Sequence, residues 1–334
     1  MKNQIYYRLI ALWALCEGVL GGIIHGFNLP VSGLIVGSAA VIIICMIGYY
    51  VPGRATIMKA TILVCIFKLM LSPQSPLPAY VAVLFQGSIG LLFFWNKKFF
   101  KISCLLFATL ALLESGVQRV LVMTILFGMN FWKAVNDFIN GLTHEKEITN
   151  YSLYLVSGYI LLHLIMGIFV GWSAGRIPKR MEQLRTHHQN YFVSIDGEQN
   201  FIPQQSVSPR KRKLKTGLFI IWIVLLVLFL QSQFNIGKPL LSSNLSLQIF
   251  IRSILIILAW YFVVSPITLL LLKRWLTKQK EKSQSDIQAI LELLPSTKLL
   301  LEKSWQLSSA YKGIRRLNEF SKIVLVNSLR EEHE

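Results

Sequence analysis

Eight stretches of this chain are long and apolar enough that, taken in order, they leave few solutions. They run approximately from Leu9 to Phe27, Val31 to Val51, Ala55 to Leu71, Ala79 to Trp95, Ile102 to Met129, Tyr151 to Gly175, Thr216 to Ser232 and Leu247 to Leu272. A helix of about 20 mostly apolar residues crosses roughly 30 Å of hydrocarbon, where every backbone N–H and C=O needs an internal partner. The runs are continuous rather than alternating, so they predict helices and not the strands of a barrel. Hydrophobic residues make up 54% of the 334 residues and charged ones 15%, more apolar surface than a soluble domain hides. The expected fold class is an all-α polytopic membrane protein. It consists of a six-helix transmembrane bundle, a two-helix transmembrane hairpin and cytoplasmic amphipathic helices.

Lys2 and Arg8 precede the first run, as in a secretory signal, but Glu17 interrupts it and no small-residue cleavage site follows before Pro30. It is read as a retained span. Basic residues crowd one set of loops, and only Lys133, Lys146 and Lys238 fall in the other set. The positive-inside rule then places both termini in the cytoplasm, with eight spans in the inner (plasma) membrane of a prokaryote. The net charge of +18 is explained by topology and anionic lipid, so no nucleic acid is expected as a partner.

Three regions follow: residues 1–178 with six spans, a basic cytoplasmic linker over 179–215, and residues 216–334 with the hairpin and tail. The linker carries Pro178, Pro203 and Pro209 at or inside its bounds and ends in Arg210, Lys211, Arg212, Lys213 and Lys215. In the tail, Ile287, Ile290, Leu291 and Leu294, then Leu300, Leu301, Trp305, Leu307, Tyr311, Ile314 and Leu317, recur at helical spacing. Two amphipathic helices broken at Pro295 are expected, their apolar faces covering lipid, each other or a partner.

Ala14, Gly18, Gly22 and Gly26 recur every fourth residue on the first span. Such a face lets another helix approach closely, either within the chain or as a docking face for a separate subunit. Glu17 and His25 stand beside it.

Ionisable residues at membrane depth are costly and need a partner, a wet cavity or an escape to the interface. Lys59, Lys68 and Arg252 lie near span ends, where snorkelling accounts for them. Glu17, Glu114, Arg119 and His163 lie deeper, and an ion pair of Glu114 or Glu17 with Arg119 is one reading. The other is a pocket: His25, Asn28, Lys68, Gln86, Gln118, Arg119, Asn130 and His163 fall in the middle to outer half, under the linking segments Asn28 to Pro30, Ser72 to Pro78 and Asn130 to Asn150. Lys68 and Arg119 hint at an anionic group on its ligand, and Tyr80 and Trp132 either stack on a ring or anchor the interface.

Cys16, Cys45, Cys65 and Cys104 all fall within spans and read as buried hydrophobes. No HExxH, GxSxG or P-loop is present, and no paired Cys or His has metal spacing. Neither an enzyme, a metal site nor a cofactor is expected.

Six spans within the first 180 residues, the small-residue stripe, the loop Asn28-Leu29-Pro30-Val31-Ser32-Gly33 and the segment Ser72-Pro73-Gln74-Ser75-Pro76-Leu77-Pro78-Ala79-Tyr80 resemble the substrate-binding S component of energy-coupling factor vitamin transporters. The resemblance implies that Ala14, Gly18 and Gly22, with Gly in place of Ala, dock a transmembrane T component, and that ligand binds near the outer surface. T components end in cytoplasmic coupling helices with an Ala-Arg-Gly signature that engage ATPases. This chain has Ala310-Tyr311-Lys312-Gly313-Ile314-Arg315-Arg316, departing from it at Lys312 and by the inserted Tyr311. The implied function is a micronutrient-binding subunit of an ATP-driven importer whose T-type subunit and ATPases are other chains. Ala310, Lys312, Gly313, Arg315 and Arg316 are then the coupling residues. The alternative is a non-transporting membrane scaffold or assembly factor that recruits a cytoplasmic partner through its tail.

Overall fold

The computed structural model describes residues 2–21, 32–51, 53, 55–72, 75, 77–95, 97–143, 150–187, 223, 227 and 245–329. Among them there is no strand. Four helices are long and apolar enough to cross a membrane, Gly33–Tyr50, Phe100–Phe127, Tyr151–Ala174 and Phe250–Lys282, and Leu77–Phe93 is a shorter apolar helix. The chain is an all-α membrane protein. The seventh expected span and the basic cluster of the linker lie outside the described residues, apart from Ile223 and Val227.

The helices are α1 (Lys2–Leu15), α2 (Ser32–Tyr50), α3 (Thr56–Leu71), α4 (Leu77–Phe93), α5 (Phe100–Phe127), α6 (Met129–Thr143), α7 (Tyr151–Ala174), α8 (Ile177–His187), α9 (Leu245–Ala259), α10 (Ser265–Lys282), α11 (Gln284–Leu307) and α12 (Gly313–Ser328). Two compact units interleave along the chain. One comprises Met1–Ser115, His163–Ser206 and Trp275–Glu334, the other Gly116–Leu162 and Val207–Arg274.

In the first unit the core is built from apolar residues of α1 to α5. Leu9, Ile10, Trp13, Ile44, Ile47, Leu63, Phe67 and Phe107 are fully buried or nearly so. Helix α1 continues into a wide π turn over Cys16–Leu20. Gly167 and Gly171 on α7, and Gly175 just past its end, bring the backbone against α5: a methyl carbon added to Gly171 would sit 2.7 Å from the Cys104 carbonyl oxygen, and one on Gly167 2.7 Å from the Thr109 Cα. This is the close approach that small residues at every fourth position permit, and where lipid surrounds a helix it is a main source of packing energy.

The tail belongs to this unit. Helix α11 packs along α1, and its buried residues Ile287, Ile290, Leu294, Thr297, Leu300 and Ser304 form one stripe. The expected break at Pro295 is corrected: Gln284–Leu307 is one helix with Pro295 inside it. A mid-helix proline loses one hydrogen bond and costs about 3 kcal/mol. Here buried side chains of one face lie on both sides of it, so packing holds the helix together across the missing bond. The break falls later. Ser308–Ala310 form a short 3-10 turn, Tyr311 and Lys312 are extended, and Gly313 enters α12 with φ +58, a conformation that a side chain disfavours. Helix α12 folds back on α11, with Ile323 against Leu300 and Phe320 against Trp305 at 5.5 Å between ring centres.

In the second unit, the segment expected as a loop over Asn130 to Asn150 is largely the helix α6. Gly128, at φ +76, turns the chain from α5 into it, and a methyl carbon there would meet the Arg252 guanidinium at 2.7 Å. Trp132 Nε1 donates to Thr124 Oγ1 at 3.1 Å, which ties the two helices at the turn. Helices α9 and α10 are joined by a second π turn over Trp260–Val264, just before Pro266. The proline ring excludes the carbonyl four residues earlier, and a widened turn relieves that clash without ending the helix.

Candidate functional site

The polar groups inside the first unit gather along α1, α3 and α4. Glu17 stands in the π turn that ends α1, and Lys68 near the end of α3. Lys68 Nζ donates to Glu17 Oε2 at 2.6 Å, with the side chains only 4% and 6% exposed. A weaker contact runs from Lys68 Nζ to the Ala79 carbonyl at 3.5 Å, and its ammonium lies 5.9 Å from the centre of the Tyr80 ring. Two readings are corrected here. Lys68 is buried rather than snorkelling, and the partner of Glu17 is Lys68 rather than Arg119. A lysine at a span end can escape to water, but a carboxylate fixed on the neighbouring helix offers a closer neutralising charge.

Three buried polar atoms on α1 and α4 have no hydrogen-bond partner among the described residues: Trp13 Nε1, Tyr80 Oη and Gln86 Oε1. Trp13 is one helical turn before Glu17 on α1. Tyr80 and Gln86 share the buried face of α4, with Val83, Gly87 and Gly90. Tyr80 sits level with Lys68. Gly87, next to Gln86, is level with Thr61, whose hydroxyl would clash with any added methyl carbon. An unpaired buried donor or acceptor costs about 1 to 3 kcal/mol, so this interior contains unused hydrogen-bonding capacity at several points. Tyr80 is therefore an inner residue and not a rim anchor, and the signal for it was the period of α4, which puts it in one stripe with Val83, Gly87 and Gly90. Trp13 was not singled out from the sequence; its place one turn from Glu17 was the available sign.

The remaining expected site residues divide between the units. His163 is buried in the first. Gln118, Arg119 and Asn130 belong to the second, where Arg119 is within electrostatic reach of Tyr159. His25 and Asn28 lie outside the described residues. Glu114 holds one carboxylate oxygen, Oε2, buried without a partner. Cys45, Cys65 and Cys104 are buried and Cys16 is half-buried, all as free thiols. Among the described residues no three His, Cys, Asp or Glu side chains gather as a metal site.

Of the small-residue stripe, Ala14 is fully buried, and a methyl carbon on Gly18 would meet the Leu71 side chain at 3.1 Å. At these two positions the neighbour is the chain itself. Gly22 and Gly26 lie outside the described residues.

A second polar cluster joins the tail to the same helices. Tyr7 Oη on α1 donates to Asp286 Oδ1 on α11 at 2.6 Å, and Lys59 Nζ on α3 donates to it at 2.9 Å while lying 2.9 Å from Oδ2. The hydrogen bond to Asp286, followed by burial and by the carboxylate charge, pushes the Tyr7 phenol up to about 12. Lys59 thus has an acidic partner, where the sequence suggested only an escape to the interface. Of the coupling residues, Ala310 closes the 3-10 turn, and Lys312 and Gly313 open α12. The Arg316 guanidinium lies 4.0 Å from the centre of the Trp305 ring and donates to the Trp305 carbonyl at 3.2 Å. Around this elbow Leu307, Tyr311, Leu317 and above all Ile314, 86% exposed, present apolar side chains beside Arg315.

No family model, curated protein or solved structure matches this chain.

Proposed function

We propose that the chain is the substrate-binding membrane subunit of an ATP-driven importer for a small micronutrient, of the energy-coupling factor type. The observation that carries this reading is the buried Glu17–Lys68 pair together with the unused polar atoms of Trp13, Tyr80 and Gln86 on α1 and α4. Membrane proteins retain such groups at depth where they do work, because each is costly to insert. The ligand is taken up between α1, α3 and α4, with Trp13 and Tyr80 as donors and Gln86 as acceptor. Since Lys68 is already neutralised, a ligand with a net charge would leave an uncompensated buried charge, and the anionic ligand suggested by the sequence gives way to a net-neutral, hydrogen-bonding one.

In this reading the chain crosses a prokaryotic inner membrane eight times with both termini in the cytoplasm. The distal stripe, Gly22 and Gly26, docks a T-type membrane subunit. The elbow with Ala310, Lys312, Gly313, Arg315 and Arg316 engages ATPases carried by other chains, its exposed apolar side chains entering a groove and its cations matching acidic residues.

Purification of the full chain from its native membrane tests the reading. A small molecule released on denaturation, together with ATPase subunits that are lost when residues 283–334 are deleted, supports it. An empty chain that brings down no ATPase overturns it. The scaffold alternative treats Glu17–Lys68 as structural glue, and the two separate at Gln86: truncation to Ala abolishes ligand in the importer and changes nothing in the scaffold.

A further inference from the structure

Helices α1 and α3 are tied to each other twice, and one of the ties runs through the tail. Glu17 and Lys68 join them directly, while Tyr7 and Lys59 join them through the carboxylate of Asp286. Ten residues separate Tyr7 from Glu17 on α1 and nine separate Lys59 from Lys68 on α3, about 15 Å and about 14 Å of helical rise. The two parallel helices are thereby held in one register at two levels.

We propose that Asp286 is a latch through which the tail helix α11 reads the state of the Glu17–Lys68 pair. Sliding α1 against α3 by one helical turn moves each group by about 5.4 Å, enough to take contacts of 2.6 and 2.9 Å beyond hydrogen-bond reach. Asp286 cannot follow both donors when they separate. Its side chain is 9% exposed and begins the apolar stripe of α11, so a carboxylate that loses Tyr7 and Lys59 is buried without compensation. The helix then loosens from α1. Any event that opens the Glu17–Lys68 pair is reported at the tail, whatever occupies the interior, because both ties share the same two helices.

Hydrogen–deuterium exchange on the full chain in nanodiscs tests this. Asp286→Ala raises exchange across residues 284–307 by about tenfold or more, the signature of local opening. The decisive variant is Glu17→Gln, about 15 Å along α1 from the latch. It raises exchange over the same residues, and the reversed pair, Glu17→Lys with Lys68→Glu, brings protection back. Gln288→Ala, at an exposed position of α11, leaves protection unchanged. If Glu17→Gln loosens residues 16–20 while 284–307 exchange at the wild-type rate, the latch is a static contact and the proposal fails. Should Glu17→Gln not fold, Glu17→Asp, which keeps the charge and shortens the reach, is read in the same way.

Discussion

The Glu17–Lys68 pair concentrates most of the chemistry of the first unit in two side chains. Burial makes its members dependent on each other: Lys68→Met leaves a carboxylate without its cation and is expected to cost about 3 to 5 kcal/mol, while Glu17→Leu with Lys68→Met returns close to wild type. Chemical unfolding in detergent, followed by circular dichroism, distinguishes the two. Gln86 behaves in the opposite sense, since Gln86→Leu removes an acceptor that has no partner; stability stays level or rises by about 1 to 3 kcal/mol while bound ligand is lost. At Tyr7 the sign follows from the raised phenol. Its contribution is complete below pH 10, the ordinary value, and is lost as pH rises through about 12, so the late phenolate absorbance step shrinks by one tyrosine in Tyr7→Phe. The sequence made Glu17 and Gln86 legible as polar groups inside apolar runs, because a charge or amide there is conspicuous, but it left Lys68 between snorkelling and the interior. It did not make the pairing legible. Which cation meets which carboxylate depends on which helices are neighbours, and hydropathy carries no information about that.

Helix boundaries were legible at Phe100–Phe127 and Tyr151–Ala174, where apolar runs meet turn residues, and failed where packing overrides a local rule. Pro295 marks a break in isolation, yet α11 passes through it because Ile290 and Leu294 before it and Thr297 and Leu300 after it are all buried on one face. Small-residue spacing was read on one helix only, with packing within the chain and docking of another subunit both open. Gly167 and Gly171 on α7, with Gly175 just past its end, have the same period and bring backbones into contact. Gly171→Ala must displace α5 and is expected to destabilise by about 1 to 3 kcal/mol. Gly158→Ala, on the same helix with nothing within 4 Å, is expected to gain about 0.5 to 1 kcal/mol. Thermal aggregation midpoints in one detergent, taken side by side, check both.

For the whole molecule, composition alone fixed the class, since apolar surface on this scale fits only a membrane protein. The arrangement of its parts was less legible, because the tail is amphipathic and such a face does not name what it covers. It covers α1, and residues 275–334 group with the first helices of the chain rather than with the spans that precede them. Deleting residues 283–334 therefore exposes the buried side of α1 and is expected to lower the thermal midpoint of the first unit as well as removing any cytoplasmic partner. The claim on which the functional account rests is that the interior beside Glu17, Lys68 and Gln86 holds a small net-neutral molecule. Native mass spectrometry of the chain ejected from membrane nanodiscs tests it most directly. The account predicts a species heavier than the bare chain by one small molecule, absent in Gln86→Leu; a wild-type spectrum with only bare and lipid-bound chain would contradict it.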